Sequence, residues 1–505
     1  MSQYLMLLPI FVPVLFGALI PLFRFESRKA RQWYVGAVTV VNTLLMFLIM
    51  FVVRPEGDFM LLNMAGKLSI SFHMDGLGCV FGSLISILWP IATFYAFEYM
   101  KHEGKENTFF TFFTMTYGIT VGIAFASNLM TLYLFYELLT FVTLPLVMHG
   151  MSKKSVFAGR RYVTYSVGGA AFAFIGIAFI LTFGEGIHFV YGGVLTGEYT
   201  AVQEQLLRLA YVMTAFGFGV KAAVFPFHLW LPTASVAPTP VTALLHAVAV
   251  VKAGAFAIIR ITYFSFGTEL LYGSFAQYIV MGAALVTILF GSAMALKEQH
   301  LKRRLAYSTI SNLSYIVFGA SLMTPAGLTG ALTHMVVHGV VKITLFFCAG
   351  AVLYKTGQEY IHDMRGMGKR MPVTFSCFAL ASAALVGVPP LPGFLSKWNL
   401  AEAALHAKNP LGYAGIAVLL VSAVLTAIYL FLVVFKACFP SKSGVAPETK
   451  RCEANAYMTV PLVLLCVLIV LLGVFAQPLT EAFARISPQV FYEIIASVTE
   501  GGSML

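Results

Sequence analysis

Five ionisable residues lie inside segments built otherwise from apolar side chains: Glu137, Lys221, Lys252, Lys342 and Lys397. A charged side chain at the centre of a bilayer costs about 2.5–3.5 kcal/mol on insertion scales, so its retention points to an ion or proton path. Histidines extend the set. His334, His338 and Lys342 follow one another at i, i+4 steps, which puts three titratable groups on one helix face. His246 precedes Lys252 by six residues, roughly 240° apart on a continuous helix, so the two would serve adjacent steps from different faces. His228 follows Lys221 within Lys221-Ala222-Ala223-Val224-Phe225-Pro226-Phe227-His228.

Each residue also has a structural reading. Glu137 could be a neutral carboxyl bonded to a neighbouring helix, Lys221 a snorkelling anchor, Lys397 an interfacial anchor beside Trp398, and a lone histidine a satisfied core residue. The company these residues keep favours chemistry. Pro226 should break the backbone ladder one turn after Lys221, and Gly387-Val388-Pro389-Pro390-Leu391-Pro392-Gly393 breaks a second span just before Lys397. Interrupted helices at membrane depth occur where they are buried in protein or line a watery cavity. Two Pro/Gly-interrupted spans in corresponding halves point to an inverted-repeat transporter. Buried lysines exchange protons readily, and Glu137 would modulate the proton on Lys221. With intervening water, Glu137, Lys221, Lys252, His338, Lys342 and Lys397 would make a midplane relay, supported by His228, His246 and His334.

The elements that must hold such a row are membrane helices. Of 505 residues 59% are hydrophobic and 10% charged, against about 25% charged in a soluble domain. The fold expected is all-α and polytopic. Fourteen apolar segments are long enough to span, with approximate cores at 5–23, 32–53, 76–98, 108–126, 128–149, 162–183, 206–231, 240–260, 276–296, 305–323, 330–354, 373–405, 412–435 and 456–477. The first lacks a basic leader and a small-residue cleavage site, so it is expected to be retained as a span. Lys67 to Met74 alternates as a small surface hairpin would, and residues 185–205 look interfacial. Helices 4–8 and 9–13 would be two inverted five-helix repeats, with broken helices 7 and 12 in matching places. That divides the chain into 1–106 (helices 1–3 and the hairpin), 107–264, 265–438, and 439–505 (helix 14 and a tail).

The loops test the count. With fourteen spans, 22 of the 32 lysines and arginines fall on one side. Six, Arg54, Lys67, Arg208, Arg260, Lys408 and Arg485, fall on the other. The four left over are the intramembrane lysines. By the positive-inside rule the basic side is cytoplasmic and both termini are not. The net charge of +11 then needs no nucleic-acid partner. Among the acids only Glu137 is mid-span. Cysteines 79, 348, 377, 438, 452 and 466 have no C-x-x-C spacing, so neither a metal nor an iron–sulfur cofactor is expected. Two histidines one turn apart cannot bind opposite faces of one haem.

Several motifs identify the kind of chain. Leu301-Lys302-Arg303-Arg304 followed by Ala306-Tyr307-Ser308-Thr309-Ile310-Ser311-Asn312-Leu313 resembles the signature of the antiporter-like subunits of respiratory complex I. So do Lys221 to Pro232, Ala237-Pro238-Thr239-Pro240-Val241, Leu244-Leu245-His246 through Lys252-Ala253-Gly254, and His338 to Phe346. This superfamily also holds Mrp-type antiporter subunits and membrane-bound hydrogenase subunits. The resemblance covers nearly the whole chain. It implies fourteen helices with two inverted repeats, Glu137 and Lys221 as a helix-5/helix-7 pair, Lys252 with His338 and Lys342 as a central relay, and Lys397 as the exit residue. One complex I subunit type carries glutamate where Lys397 stands, so the chain departs from that type. It stops soon after helix 14, without the long lateral helix of the largest subunits, and so resembles shorter members such as the D-type Mrp subunit.

The expected function is therefore proton translocation by an antiporter-like subunit of a complex I-related assembly in the cell membrane. Its partners would be other antiporter-like and small membrane subunits, with redox chemistry in peripheral subunits. The alternative is a subunit of a Mrp-type sodium/proton antiporter with no redox partner. A cofactor-bearing oxidoreductase and a spacer that has lost transport fit the residues less well.

Overall fold

Apolar segments in lipid must satisfy their backbone polar groups internally, which makes helices of the long hydrophobic runs. The computed structural model describes residues 2–439 and 450–486. Residues 440–449 and the tail after 486, which fall within the C-terminal region set out above, lie outside the described residues.

Helices α1 (Leu8–Leu19) and α2 (Arg28–Phe47) precede two antiparallel strands, β1 (Phe59–Ala65) and β2 (Leu68–Phe72). Then come α3 (Gly76–Glu103), α4 (Glu106–Ala124), α5 (Leu129–Val147) and α6 (Lys153–Phe183). The next two spans are interrupted: α7 (Ala201–Gly219) leads to the short α8 (Trp230–Ala234), and α9 (Thr239–Ala247) to α10 (Val250–Arg260). After α11 (Thr268–Leu271) follow α12 (Phe275–Lys297), α13 (Leu301–Ser321) and α14 (Pro325–Thr356). The described chain ends with α15 (Met367–Arg370), α16 (Pro372–Val386), α17 (Pro392–His406), α18 (Pro410–Cys438) and α19 (Ala456–Val474).

Among the described residues, ten helices are long and apolar enough to cross a membrane. The four expected spans outside that set are 108–126, 206–231, 305–323 and 373–405. All four are largely helical. α4 and α13 carry threonines, serines and, in α13, a cationic first turn, and both are buried almost throughout. The other two are split by the breaks. The best-buried span windows lie in Thr239–Phe266, 100% buried, and Pro325–Thr356, 89%, so α9, α10 and α14 form the middle of the bundle. By contrast Ala456–Val474 is 28% buried and lies at the edge.

Several expectations change. The hairpin begins earlier than Lys67: the alternating stretch is only its second strand, and Gly66, at φ +55°, makes the turn. β1 is exposed at nearly every position, so it carries no alternation to read. Residues 185–194 are tied to neighbouring segments by backbone hydrogen bonds. Phe189 N bonds Ser127 O at 2.9 Å and Val194 N bonds Ser265 O at 2.9 Å, while Ala201 onward is the first turn of α7 behind a Thr200–Gln203 capping box. Arg260 is not a loop residue either. It ends α10, buried, with both terminal guanidinium nitrogens on Asp75 at 2.5 and 2.7 Å. Asp75 also caps α3 through Gly78 N at 2.8 Å. Arg304 is buried too, donating to Glu298 O and Tyr429 O at 2.8 Å and to Leu296 O at 3.3 Å.

A clasp ties the hairpin to the 185–194 segment. Asp58 lies between two imidazoles, 3.0 Å from His73 Nδ1 and 2.9 Å from His188 Nδ1. Those two imidazoles hold the Asp58 carboxyl well below the usual carboxylate range, and Asp58 in turn raises His73. A raised histidine contributes stability that is present below its unfolded value and is lost as pH rises through the folded one. The clasp should therefore loosen in mild alkali. Hydrogen exchange of 185–194, corrected for intrinsic rate, should quicken between pH 6 and 9, and His73→Ala should be fast at both. Equal protection at both pH values in the parent would contradict this.

Gly393 tests the second break. A Cβ there would sit 1.7 Å from Ala384 O. Gly393→Ala should lower thermal stability by at least about 1–3 kcal/mol, whereas Gly168→Ala, which meets open space, should leave it unchanged or slightly raised.

Candidate functional site

α7 stops at Gly219, well before Pro226. Val224 N bonds Gly219 O at 2.9 Å, and Ala223 takes φ +56°, turning the chain out of the helix. Freed groups find side-chain partners: Trp230 Nε1 donates to Val220 O at 2.7 Å, and Phe225 N donates to Thr287 Oγ1 at 2.9 Å. Lys221 thus stands inside the break rather than one turn ahead of it. Its ammonium is fully buried and donates to the Tyr136 backbone oxygen. It also lies 3.3 Å from the centroid of the Tyr136 ring and 3.6 Å from Glu137 Oε1. Glu137 Oε1 has no hydrogen-bond partner, so the contact is an ion pair held slightly open.

α10 packs directly on this break. A Cβ at Gly254 would fall 2.4 Å from Ala222 N, so glycine permits an approach no other residue would. Lys252, two residues before Gly254, is fully buried on a different face of the same helix. The span is also not continuous. Val248 (φ −135°) and Ala249 (ψ −87°) leave the helix, and Ala249 N reaches back to Leu244 O at 2.9 Å. The helical-wheel separation expected for His246 and Lys252 therefore does not apply. No proline or glycine marks this break, which is why the sequence did not reveal it.

On α14 the three groups do share a stripe, but each faces a different element. His338 Nδ1 meets Lys252 Nζ at 2.5 Å. His334 Nδ1 meets Ser396 Oγ of α17 at 3.1 Å and its ring stacks on Tyr315 at 5.0 Å. Lys342 Nζ donates to Ser308 Oγ at 2.6 Å and Leu305 O at 3.2 Å. The His334 and His338 rings are 5.9 Å apart.

Lys397 sits in the second turn of α17, just after the second break. Its ammonium donates to Leu385 O at 2.8 Å and Val386 O at 3.0 Å, the last carbonyls of α16, and lies 5.7 Å from the Tyr315 ring. A cation at a helix C-terminus is favoured by the dipole and by the otherwise unpaired carbonyls.

The supporting histidines divide. His246 is buried, stacked on Phe346 at 4.7 Å, with neither ring nitrogen bonded to protein. His228 lies in the first break against Phe225 and Phe290, and the described contacts do not join it to the row. Among the described residues no three His, Cys, Asp or Glu side chains are grouped to hold a metal. Ser396 escaped the sequence reading although it adjoins Lys397. A serine in a deep span is too common to single out until His334 is seen against it.

A histidine can accept at one ring nitrogen while donating from the other, and a lysine can give up one of its three N–H protons. Lys252 and His338 share one short contact, so a proton can exchange between them without side-chain travel. The remaining buried ring nitrogens of His246, His334 and His338 carry no protein partner, which leaves them able to hand protons on.

The family described as NADH:quinone oxidoreductase/Mrp antiporter, transmembrane, matches residues 126–426. The chain is 33% identical to NADH-quinone oxidoreductase subunit N of Desulforudis audaxviator over 78% of its own length and 80% of that protein's. It is 28% identical to Na(+)/H(+) antiporter subunit A1 of Staphylococcus haemolyticus over 94% of its length, but spans only 62% of that relative. Its fold is similar to a chain of the membrane-bound sulfane sulfur reductase, an archaeal respiratory membrane complex, with TM-score 0.84 and 23% identity over 96% of this chain and 97% of that one.

The Glu137–Lys221 pair gives a measurable coupling. Glu137→Gln leaves Lys221 without its counter-charge, and Lys221→Met removes the charge itself. In a double-mutant cycle on thermal unfolding the two should couple by about 1–3 kcal/mol, the double variant being more stable than Glu137→Gln alone. Strict additivity would mean the pair does not interact.

Proposed function

The chain belongs to the NADH:quinone oxidoreductase/Mrp antiporter transmembrane family, and on that footing we propose that it translocates protons as an antiporter-like subunit of a complex I-related membrane assembly. It is a multi-pass membrane protein. The observation that supports the proposal is the set of titratable side chains enclosed wholly or in part within the bundle. They are the Glu137–Lys221 pair at one break, the Lys252–His338 contact, the His334–Ser396 contact, and Lys397 at the other break.

In this reading the separation of Glu137 and Lys221 sets whether Lys221 keeps its proton. Lys221 passes it toward Lys252, the Lys252–His338 contact hands it across to α14, and Lys397 releases it beside the second break. Lys342 shares the α14 part of that central step with His338, and His246 adjusts the charge there. Moving one charge against 100 mV requires about 2.3 kcal/mol, so coupling has to change each lysine's protonation equilibrium by about one to two pH units per step.

The helix breaks at Val220–Leu229 and Gly387–Leu391 support two inverted five-helix repeats, residues 107–264 and 265–438, flanked by 1–106 and 439–505. The loop charges support fourteen passes in the cell membrane with both termini on the non-cytoplasmic side. The relatives are named as subunits, which supports partner membrane subunits for this chain. Peripheral redox subunits belong to the complex I-like version. The likeness to an antiporter subunit favours a second version, sodium/proton exchange without a redox partner.

Lys221→Ala and Glu137→Ala should each cut proton translocation by inverted vesicles more than tenfold while the assembly forms normally. Full pumping by assembled variants would sink the relay. Translocation that requires sodium would select the exchanger.

A further inference from the structure

Lys342 faces a problem that Lys221 does not. Lys221 has Glu137 at 3.6 Å, while the partners described for the Lys342 ammonium are a carbonyl and a hydroxyl, Leu305 O and Ser308 Oγ. Among the described residues, the charged groups around it add no anion. They are Lys252 on α10 and His338 one turn earlier on α14, with His246 on α9 and Arg304 on α13. Something other than an acid must therefore stabilise a proton on Lys342.

Ser308 does not end the contact. Its Oγ is 2.6 Å from Tyr429 Oη of α18, and Tyr429 Oη is 3.2 Å from Thr426 Oγ1. Every member is buried. Tyr429 is also fixed through its backbone: Arg304, one turn before Ser308 on the same face of α13, donates to Tyr429 O at 2.8 Å. One helix face thus grips both ends of the tyrosine, which keeps the phenol aimed at Ser308.

The donor rules give this chain two orders. An ammonium can only donate. When Lys342 is charged it donates to Ser308, Ser308 donates to Tyr429, and Tyr429 donates to Thr426. The O–H dipoles of Ser308 and Tyr429 then point away from the charge in series. When Lys342 is neutral its lone pair accepts from Ser308, and Tyr429 donates to Ser308 instead. No proton leaves the chain and no bond to carbon changes; only hydroxyl rotors turn. We infer that Ser308, Tyr429 and Thr426 form a reversible hydroxyl chain that stands in for an acidic partner of Lys342, making Ser308 and Tyr429 positioning residues for its proton. The inference rests on the relay reading above.

The test uses the full chain in its membrane assembly, with proton translocation followed as a function of pH. Tyr429→Phe removes one oxygen and keeps the ring. The half-maximal pH should move about one unit toward acid, a tenfold change in the protonation equilibrium, with the rate at the new optimum within about twofold of the parent. Ser308→Ala should do the same, and Ser308→Thr, which restores a hydroxyl, should return the profile. Thr426→Val gives a smaller shift and serves if Tyr429→Phe does not assemble. An unchanged profile in assembled variants overturns the proposal, as does a loss of rate equal at every pH, the mark of a purely structural role. Lys342→Ala separates the two levels. If it abolishes translocation while the hydroxyl variants match the parent, only the hydroxyl chain fails; if it leaves translocation intact, the relay reading fails.

Discussion

A cation held in the middle of a membrane bundle must be solvated by the protein, and the structure follows from how each lysine meets that demand. Lys221 uses a backbone oxygen, an aromatic face and a carboxylate. Lys252 uses a histidine nitrogen. Lys342 uses a hydroxyl and a carbonyl. Lys397 uses the open C-terminal carbonyls of α16. Lone buried charges are expensive, and none of these is left alone.

The helix breaks are part of the same solution. A regular helix bonds its carbonyls internally and offers a lysine only side chains. Ending a helix inside the bundle frees carbonyls, and Lys397 takes two of them. At Lys221 the broken helix end is sealed instead by Trp230 and Thr287, leaving the ammonium to cross to α5. The two breaks resemble each other in sequence yet serve their lysines differently. The third, between α9 and α10, lets Lys252 sit in the first turn of a new helix, opposite His338.

Burial of the middle helices has a further consequence. The windows of α9–α10 and α14 are almost wholly enclosed, so their polar groups see little lipid, and the polar α13 needs no apolar outer face. The outer helices carry the hydropathy that makes the chain a membrane protein. Where α10 touches the first break, and where α17 turns past α16, glycine allows backbone to meet backbone.

The sequence determined a good deal alone. Hydropathy and the motifs from Lys221 to Phe346 were enough for the membrane class and the family, because each is a one-dimensional signal: a run or a spacing. The i, i+4 stripe on α14 was legible for the same reason. Tertiary structure alone decided where those groups point. It put Lys221 within its break, split an unpunctuated span at Val248–Ala249, sent His334, His338 and Lys342 to three different helices, set His228 apart among phenylalanines, and paired Arg260 with Asp75 across 185 residues. Spacing along a chain specifies which residues share a helix face; the partner opposite that face comes from another part of the chain, and only packing brings the two together.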